Sequence, residues 1–224
     1  MIQIDPDPSE HPECNYCREF LSPGAQSSGV WNAPILNSEN FVVVPTLGHF
    51  VPGWLLIVPR KHYVCFGAVP PKFIDEFLDV KRKVEYLLAS LYSAPIKFEH
   101  GPCSRGLAGA CIDHAHMHFV PTTIDLKPEL DSEFHHRSIQ ALDELTSEYR
   151  SGRPYFFYET AGGLSSLYQI SVIPSQFARM LLARKLGMLE KYDWRKYKGE
   201  LELRVFLKDL ERMKRWEAAG ELHA

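Results

Sequence analysis

The sequence is short of several things, and each shortage removes a class of protein. It has no long apolar run: the stretch from Trp54 to Val58 is among the longest, far below the roughly 20 residues that a membrane helix needs. Neither sign of charge dominates, because 28 acidic residues face 25 basic ones for a net charge of −3. No global positive field therefore draws the chain onto nucleic acid without regard to sequence. The start, Met1-Ile2-Gln3-Ile4-Asp5-Pro6-Asp7-Pro8, lacks the basic head and apolar core of a secretory signal. Cysteines number five, an odd count that suits no disulfide framework. Repeats and low-complexity segments are missing too. The expectation is a cytoplasmic protein that does not enter membranes, with the 45% apolar and 24% charged residues of an ordinary globular chain. Its 224 residues suit one good core, or one core with a sizeable appendage, better than two equal domains.

Histidine breaks this plainness. Ten are present, and three fall in the stretch His114-Ala115-His116-Met117-His118-Phe119-Val120. On a β-strand the three imidazoles would share one face, while Ala115, Met117 and Phe119 point into a core. Such a face is suited to catalysis or to metal binding. Cys14-Asn15-Tyr16-Cys17 is the second concentrated signal. A redox pair belongs at the head of a helix after a buried strand, yet Pro12 precedes this one and Ser22-Pro23-Gly24 follows, leaving little helix. Half of a zinc site fits better. His11 is near enough to be weighed as a ligand, although a tail histidine before a proline is ordinarily solvated.

In chain order, β-branched and apolar runs predict strands at 41–45 and 54–59, and Arg60-Lys61-His62 follows directly at the end of the second. Phe73, Phe77, Val80, Val84, Leu87, Leu88 and Leu91 form an apolar stripe that predicts a core-facing helix over 72–91. Strands are expected at 96–99 and 112–120. The glycine-rich loop between them leaves backbone amides open to phosphate oxygens. Beyond Pro121 the segment 131–148 reads as polar and partly helical, with His135 and His136 exposed. Strands at 155–159 and 167–173, a helix from Ser175 to a stop at Gly187, and a charged helix within 199–219 complete the chain. Residues 1–125 thus read as the core, and 126–224 as a carboxyl-terminal α/β extension packed on it.

Four features stand in order over residues 14–121. They are the Cys-x-x-Cys pair, the segment Pro52-Gly53-x-Leu55-Leu56-Ile57-Val58-Pro59-x-x-His62, an amphipathic helix, and His-x-His-x-His followed by two apolar residues and a proline. This series resembles the zinc-containing branch of the histidine triad (HIT) superfamily of nucleotide hydrolases and nucleotidyltransferases. The resemblance implies an α+β fold, with a HIT-like antiparallel sheet flanked by helices and a nucleotide phosphate held against the triad. It implies a structural zinc on Cys14, Cys17, His62 and His114, a closed set of two thiolates and two imidazoles. It makes His116 the nucleophile toward an α-phosphorus, through a nucleotidyl-histidine, and His118 a donor to a phosphate oxygen or to the leaving group. Phosphate contacts fall to Ser104, Arg105, Gly109 and Cys111 in the preceding loop. The implied partner is a nucleotide or nucleotide conjugate. A homodimer is the implied assembly, with the appendage as the feature that would block it.

The chain departs from the family pattern in places. Gly109 is followed by Ala110 and Cys111 where many hydrolases carry Gln and a hydroxyl residue, and Thr122 replaces the basic residue that often follows the proline. His118 stands where the related uridylyltransferases have Gln, which favours hydrolase-like chemistry. The carboxyl-terminal half resembles Cwf19-like (CwfJ) proteins through Pro154-Tyr155-Phe156, Ile173-Pro174-Ser175-Gln176-Phe177-Ala178-Arg179 and Asp193-Trp194-Arg195, and Phe98-Glu99 fits the same group. Those proteins are associated with RNA processing and often lack a complete triad. That gives an alternative reading, a nucleotide- or RNA-binding module without catalysis. Arg179 is expected either to reach a phosphate or to make a structural salt bridge.

Overall fold

A computed structural model describes residues 14–20, 33–102, 114–170 and 175–219. The valine run of β2 (Phe41–Pro45) pairs antiparallel with β3 (Leu55–Pro59), and the short β1 (Leu36–Asn37) lies outside β2. Gly53 sits before β3 at φ +81, where an added Cβ would come within 2.7 Å of the Tyr92 ring. A glycine is therefore required there both by conformation and by space. The sheet continues through β4 (Pro95–Gly101), β5 (Met117–Pro121), β6 (His136–Ile139), β7 (Tyr155–Glu159) and β8 (Ser165–Gln169). Its order is β1-β2-β3-β5-β4-β7-β8-β6, and every neighbouring pair is antiparallel. With helices on both faces, this is the α+β architecture expected.

Side-chain alternation divides the sheet into two faces. One carries Phe41, Val43, Leu55, Ile57, Met117, Phe119, Tyr155, Phe157 and Leu167. It is covered by α2 (Ile74–Leu91), α4 (Glu144–Arg150) and α6 (Glu200–Ala219), which contribute Phe77, Val84, Leu88, Leu145, Leu203 and Phe206 to the same cluster. On the other face Val42, Val44, Leu56 and Val58 lie under Tyr16 and Phe20 of α1 (Asn15–Phe20). Further along that face Ile96, Phe98, Val120, Phe156 and Tyr168 lie under Leu130 of α3 (Lys127–Glu133) and under Phe177 and Leu181 of α5 (Phe177–Lys185). His118 stands between these two patches, paired across to Leu56 on one side and Phe98 on the other.

Three elements differ from expectation. The triad strand begins only at Met117, so His114, Ala115 and His116 precede it. Ala115 N–H bonds the Tyr63 carbonyl at 2.6 Å, which ties this stretch to the segment after β3. Within the polar region 131–148, His136–Ile139 forms an edge strand on β8. Its first three residues are exposed and only Ile139 is buried, so it shows no apolar alternation to reveal it. The strand expected at 167–173 runs over Ser165–Gln169, and 171–173 lie outside the described residues. Among the described residues, no helix is long and apolar enough to cross a membrane.

Candidate metal centre and histidine site

Two neighbouring strands bring the first site together. His62 follows β3 and His114 precedes β5, and since these strands are antiparallel partners those two ends meet. The helix α1 starts directly after Cys14 and carries Cys17 on its first turn, lying over the same end of the sheet. The ligand atoms of Cys14, Cys17, His62 and His114 all lie within 4.8 Å of one another. Cys17 Sγ is 3.3 Å from His62 Nδ1 and 3.5 Å from His114 Nδ1, and Cys14 Sγ is 3.4 Å from His114 Nδ1. A tetrahedral zinc with Zn–S of about 2.3 Å and Zn–N of about 2.05 Å sets its sulfur and nitrogen ligands about 3.6 Å apart, close to this spacing.

The protonation of the cluster suits a metal as well. His114 Nε2 lies 2.7 Å from the Pro59 carbonyl oxygen. A carbonyl only accepts, so Nε2 carries the proton and the Nδ1 lone pair faces the sulfurs. The Cys14 thiol is pushed down to about 2, first by its hydrogen bond with Cys17, against the opposing effect of burial, with His114 and His62 adding to the fall. Two sulfurs and two imidazole nitrogens from the protein make a closed set of the kind that holds a structural ion.

The other two histidines have different tasks open to them. His116 Nδ1 is 2.7 Å from the His114 carbonyl oxygen and so bears the proton, which leaves the lone pair on Nε2. His118 stacks on Phe98 with ring centroids 4.5 Å apart, and its centroid is 5.0 Å from that of His116. Its Nδ1 accepts a hydrogen bond from Trp54 Nε1 at 3.0 Å. Burial lowers the pKa of His116, against the hydrogen bond to the His114 carbonyl that raises it. Burial holds His118 well below its ordinary value, with the His116, Arg179 and His100 charges adding to the effect. Both rings are thus neutral at neutral pH. A neutral ring with a free Nε2 can attack an electrophile, and a neighbouring ring can donate to the same group.

His100 is the residue that sequence reasoning passed over as the start of a loop. It lies on β4, two residues beyond Phe98, and so on the same face as His118. Its ring meets Phe156 edge-on at 5.0 Å, and its Nε2 is buried without a hydrogen-bond partner among the described residues. Burial, and then the His116 charge, lower its pKa to about 4. Only the Phe98–His118 register reveals the proximity, and no sequence motif carries it.

The remaining expected positions fall into three groups. Ser104, Arg105, Gly109 and Cys111, the phosphate contacts, lie outside the described residues, as does His11. His135 and His136 are exposed, as expected, and the His136 Nε2 lies 3.4 Å from Asp131. Arg179 is buried and donates from Nε to the Tyr192 carbonyl at 2.9 Å and from a terminal nitrogen to the Gly48 carbonyl. Its guanidinium lies 4.6 Å over the Trp54 ring, so it meets carbonyls and aromatic faces.

No family model matches the chain, and no curated protein matches it. Solved structures that align include a Hit-like protein involved in cell-cycle regulation from Bartonella henselae, at 13% identity and a TM-score of 0.35 over 53% of this chain and 85% of that one. Another is the yeast Ap4A phosphorylase in complex with AMP, at 15% identity and a TM-score of 0.38 over 63% of this chain and 60% of that one. A third is a zinc-bound histidine triad family protein from Mycobacterium smegmatis, at 19% identity and a TM-score of 0.29 over 53% of this chain and 81% of that one. These are likenesses to those proteins, at a level that bears on neither the fold nor the chemistry of this chain.

Proposed function

We propose that the protein is a zinc-stabilised enzyme of the histidine triad type, a nucleotide hydrolase or nucleotidyltransferase that reacts at an α-phosphate through His116. The observation that carries this reading is the His116 Nδ1 contact to the His114 carbonyl, which leaves Nε2 as the nucleophilic edge of a neutral ring. In the first step the Nε2 lone pair forms an N–P bond, and the bond from phosphorus to the leaving group breaks with its electron pair going to that group. In the second, water or another acceptor attacks the phosphorus and the N–P bond breaks. His118 donates to a phosphoryl oxygen as charge builds there. Zinc at Cys14, Cys17, His62 and His114 would fix the His114 backbone, and with it the carbonyl that orients His116. Ser104, Arg105, Gly109 and Cys111 are the proposed phosphate contacts.

The test is a panel of dinucleoside polyphosphates, nucleotide sugars and nucleoside phosphoramidates, combined with trapping of a histidine-linked nucleotide. His116→Ala is expected to keep its circular dichroism and its zinc while losing turnover by on the order of 10³-fold or more. Wild-type turnover in that variant would end the covalent assignment. Tight binding with no product from any panel member would instead favour a nucleotide-binding module.

A further inference from the structure

Trp54 directly precedes β3 and is completely buried. Its one polar group, the indole N–H, can only donate, and the acceptor it meets is His118 Nδ1 at 3.0 Å. Nδ1 therefore carries no proton, and the proton of the neutral ring sits on Nε2. The ring is also held on its sides, with Phe98 stacked at 16° and Trp54 edge-on at 69° and 5.8 Å. A flip that exchanged its two nitrogens would break the indole hydrogen bond.

The back of Trp54 is occupied in turn. Arg179, from α5, places its guanidinium 4.6 Å over the indole and 5.2 Å over the Phe50 ring. Its hydrogen bonds to the Tyr192 and Gly48 carbonyls fix it there. A cation against the face of an indole draws on the electron density of the ring and makes the N–H a stronger donor. The charge of the arginine thus reaches His118 through an aromatic ring, from a helix in the carboxyl-terminal half.

We infer that Trp54 is a positioning residue that locks His118 as an Nε2–H donor, and that Arg179 strengthens this lock from α5. His118 then offers a hydrogen bond to the reacting group and has no free Nδ1 with which to take up a proton, the reverse of His116. The catalytic consequence rests on the nucleotide-processing reading proposed above, whereas the tautomer does not. Sequence spacing cannot show this division, because His116 and His118 look equivalent in a His-x-His-x-His pattern and only their opposite hydrogen bonds separate them.

The test uses the full chain loaded with zinc and labelled with ¹⁵N in histidine and tryptophan. Long-range ¹⁵N–¹H correlation should show wild-type His118 protonated at Nε2, with a scalar coupling across the hydrogen bond between Trp54 Nε1 and His118 Nδ1. Trp54→Phe keeps a ring but loses the donor, and should give a mixture of His118 tautomers. With adenosine 5′-phosphoramidate its kcat should fall about tenfold with KM within about twofold, and adding it to His118→Ala should cause no further loss. Arg179→Met should shrink the coupling. A wild-type His118 protonated at Nδ1 would overturn the inference, as would an unchanged tautomer or an unchanged kcat in Trp54→Phe. If Trp54→Phe does not fold, the wild-type spectrum decides alone. A wild type that shows the Nε2–H form and the coupling but turns over no nucleotide upholds the lock and overturns the enzymatic reading.

Discussion

At the scale of single residues the core holds an acid with no obvious counter-charge of its own. Glu99 is 1% exposed on β4, accepting the Phe66 N–H and, at 2.8 Å, the Tyr155 hydroxyl. Burial, and then the Cys65 charge, push its pKa well above the usual 4.5, against the two hydrogen bonds that lower it. The folded protein therefore holds this proton to a higher pH than the unfolded chain does. The stability it gives is complete below the unfolded carboxylate pKa and is lost as pH rises through the folded one, at about 1.4 kcal/mol for each unit between them. Glu99→Gln, neutral at every pH, should lose less stability than wild type as pH rises from the ordinary carboxylate range into the alkaline range. Urea titrations along that range measure it, and parallel slopes for the two proteins would mean that Glu99 ionises freely in the folded state. The sequence alternates Ile96-Lys97-Phe98-Glu99 as a strand does, but it cannot show that helices cover the polar side as well.

Among the described α-helices, α1 is the shortest and could not stand alone. Six residues are too few for a helix to persist in water. Tyr16 and Phe20 hold it on β2 and β3, and Cys14 and Cys17 bring it to His62 and His114. The proposed zinc would therefore be the principal link between α1 and the triad. Substituting both cysteines by serine, or adding a strong chelator, should remove the metal and lower the thermal midpoint by on the order of 10 °C. Elemental analysis and calorimetry check this, and a double variant that kept a full equivalent of zinc would contradict the ligand assignment. In the sequence the residues themselves offer only Cys14 and Cys17 as half of a zinc site, and the family resemblance is what joins His62 and His114 to them. Trp54 and His100 are not legible there, because each acquires its role only from the pairing of β3, β5 and β4. The edge strand β6 escaped for another reason, since an exposed strand leaves no alternation to read.

In the whole molecule the two halves of the chain share one sheet. β4 pairs with β5 along one edge and with β7 along the other, the latter through five residue pairs. Residues after 125 supply β6, β7 and β8, and the cluster beneath the sheet draws on both halves. A buried ion group crosses the same seam: Lys97 on β4 meets Glu159 on β7 at 2.7 Å and Glu85 on α2 at 2.8 Å, while Lys81 on α2 meets the same two carboxylates. Ending the chain at 125 would strip Glu159 from Lys97 and leave the β4 edge and the rings of Trp54 and Phe98 without their cover. Lys97 would keep only Glu85 as its partner, and an open apolar edge invites pairing between molecules. The fragment 1–125 is therefore expected to aggregate and to unfold without a cooperative transition, and co-expression with 126–224 should restore a soluble complex. Size-exclusion chromatography and urea titration followed by far-UV circular dichroism give the answer. A monomeric fragment that unfolds cooperatively would show that the first half folds by itself, and that the ion group and the β4–β7 seam join two units already able to stand.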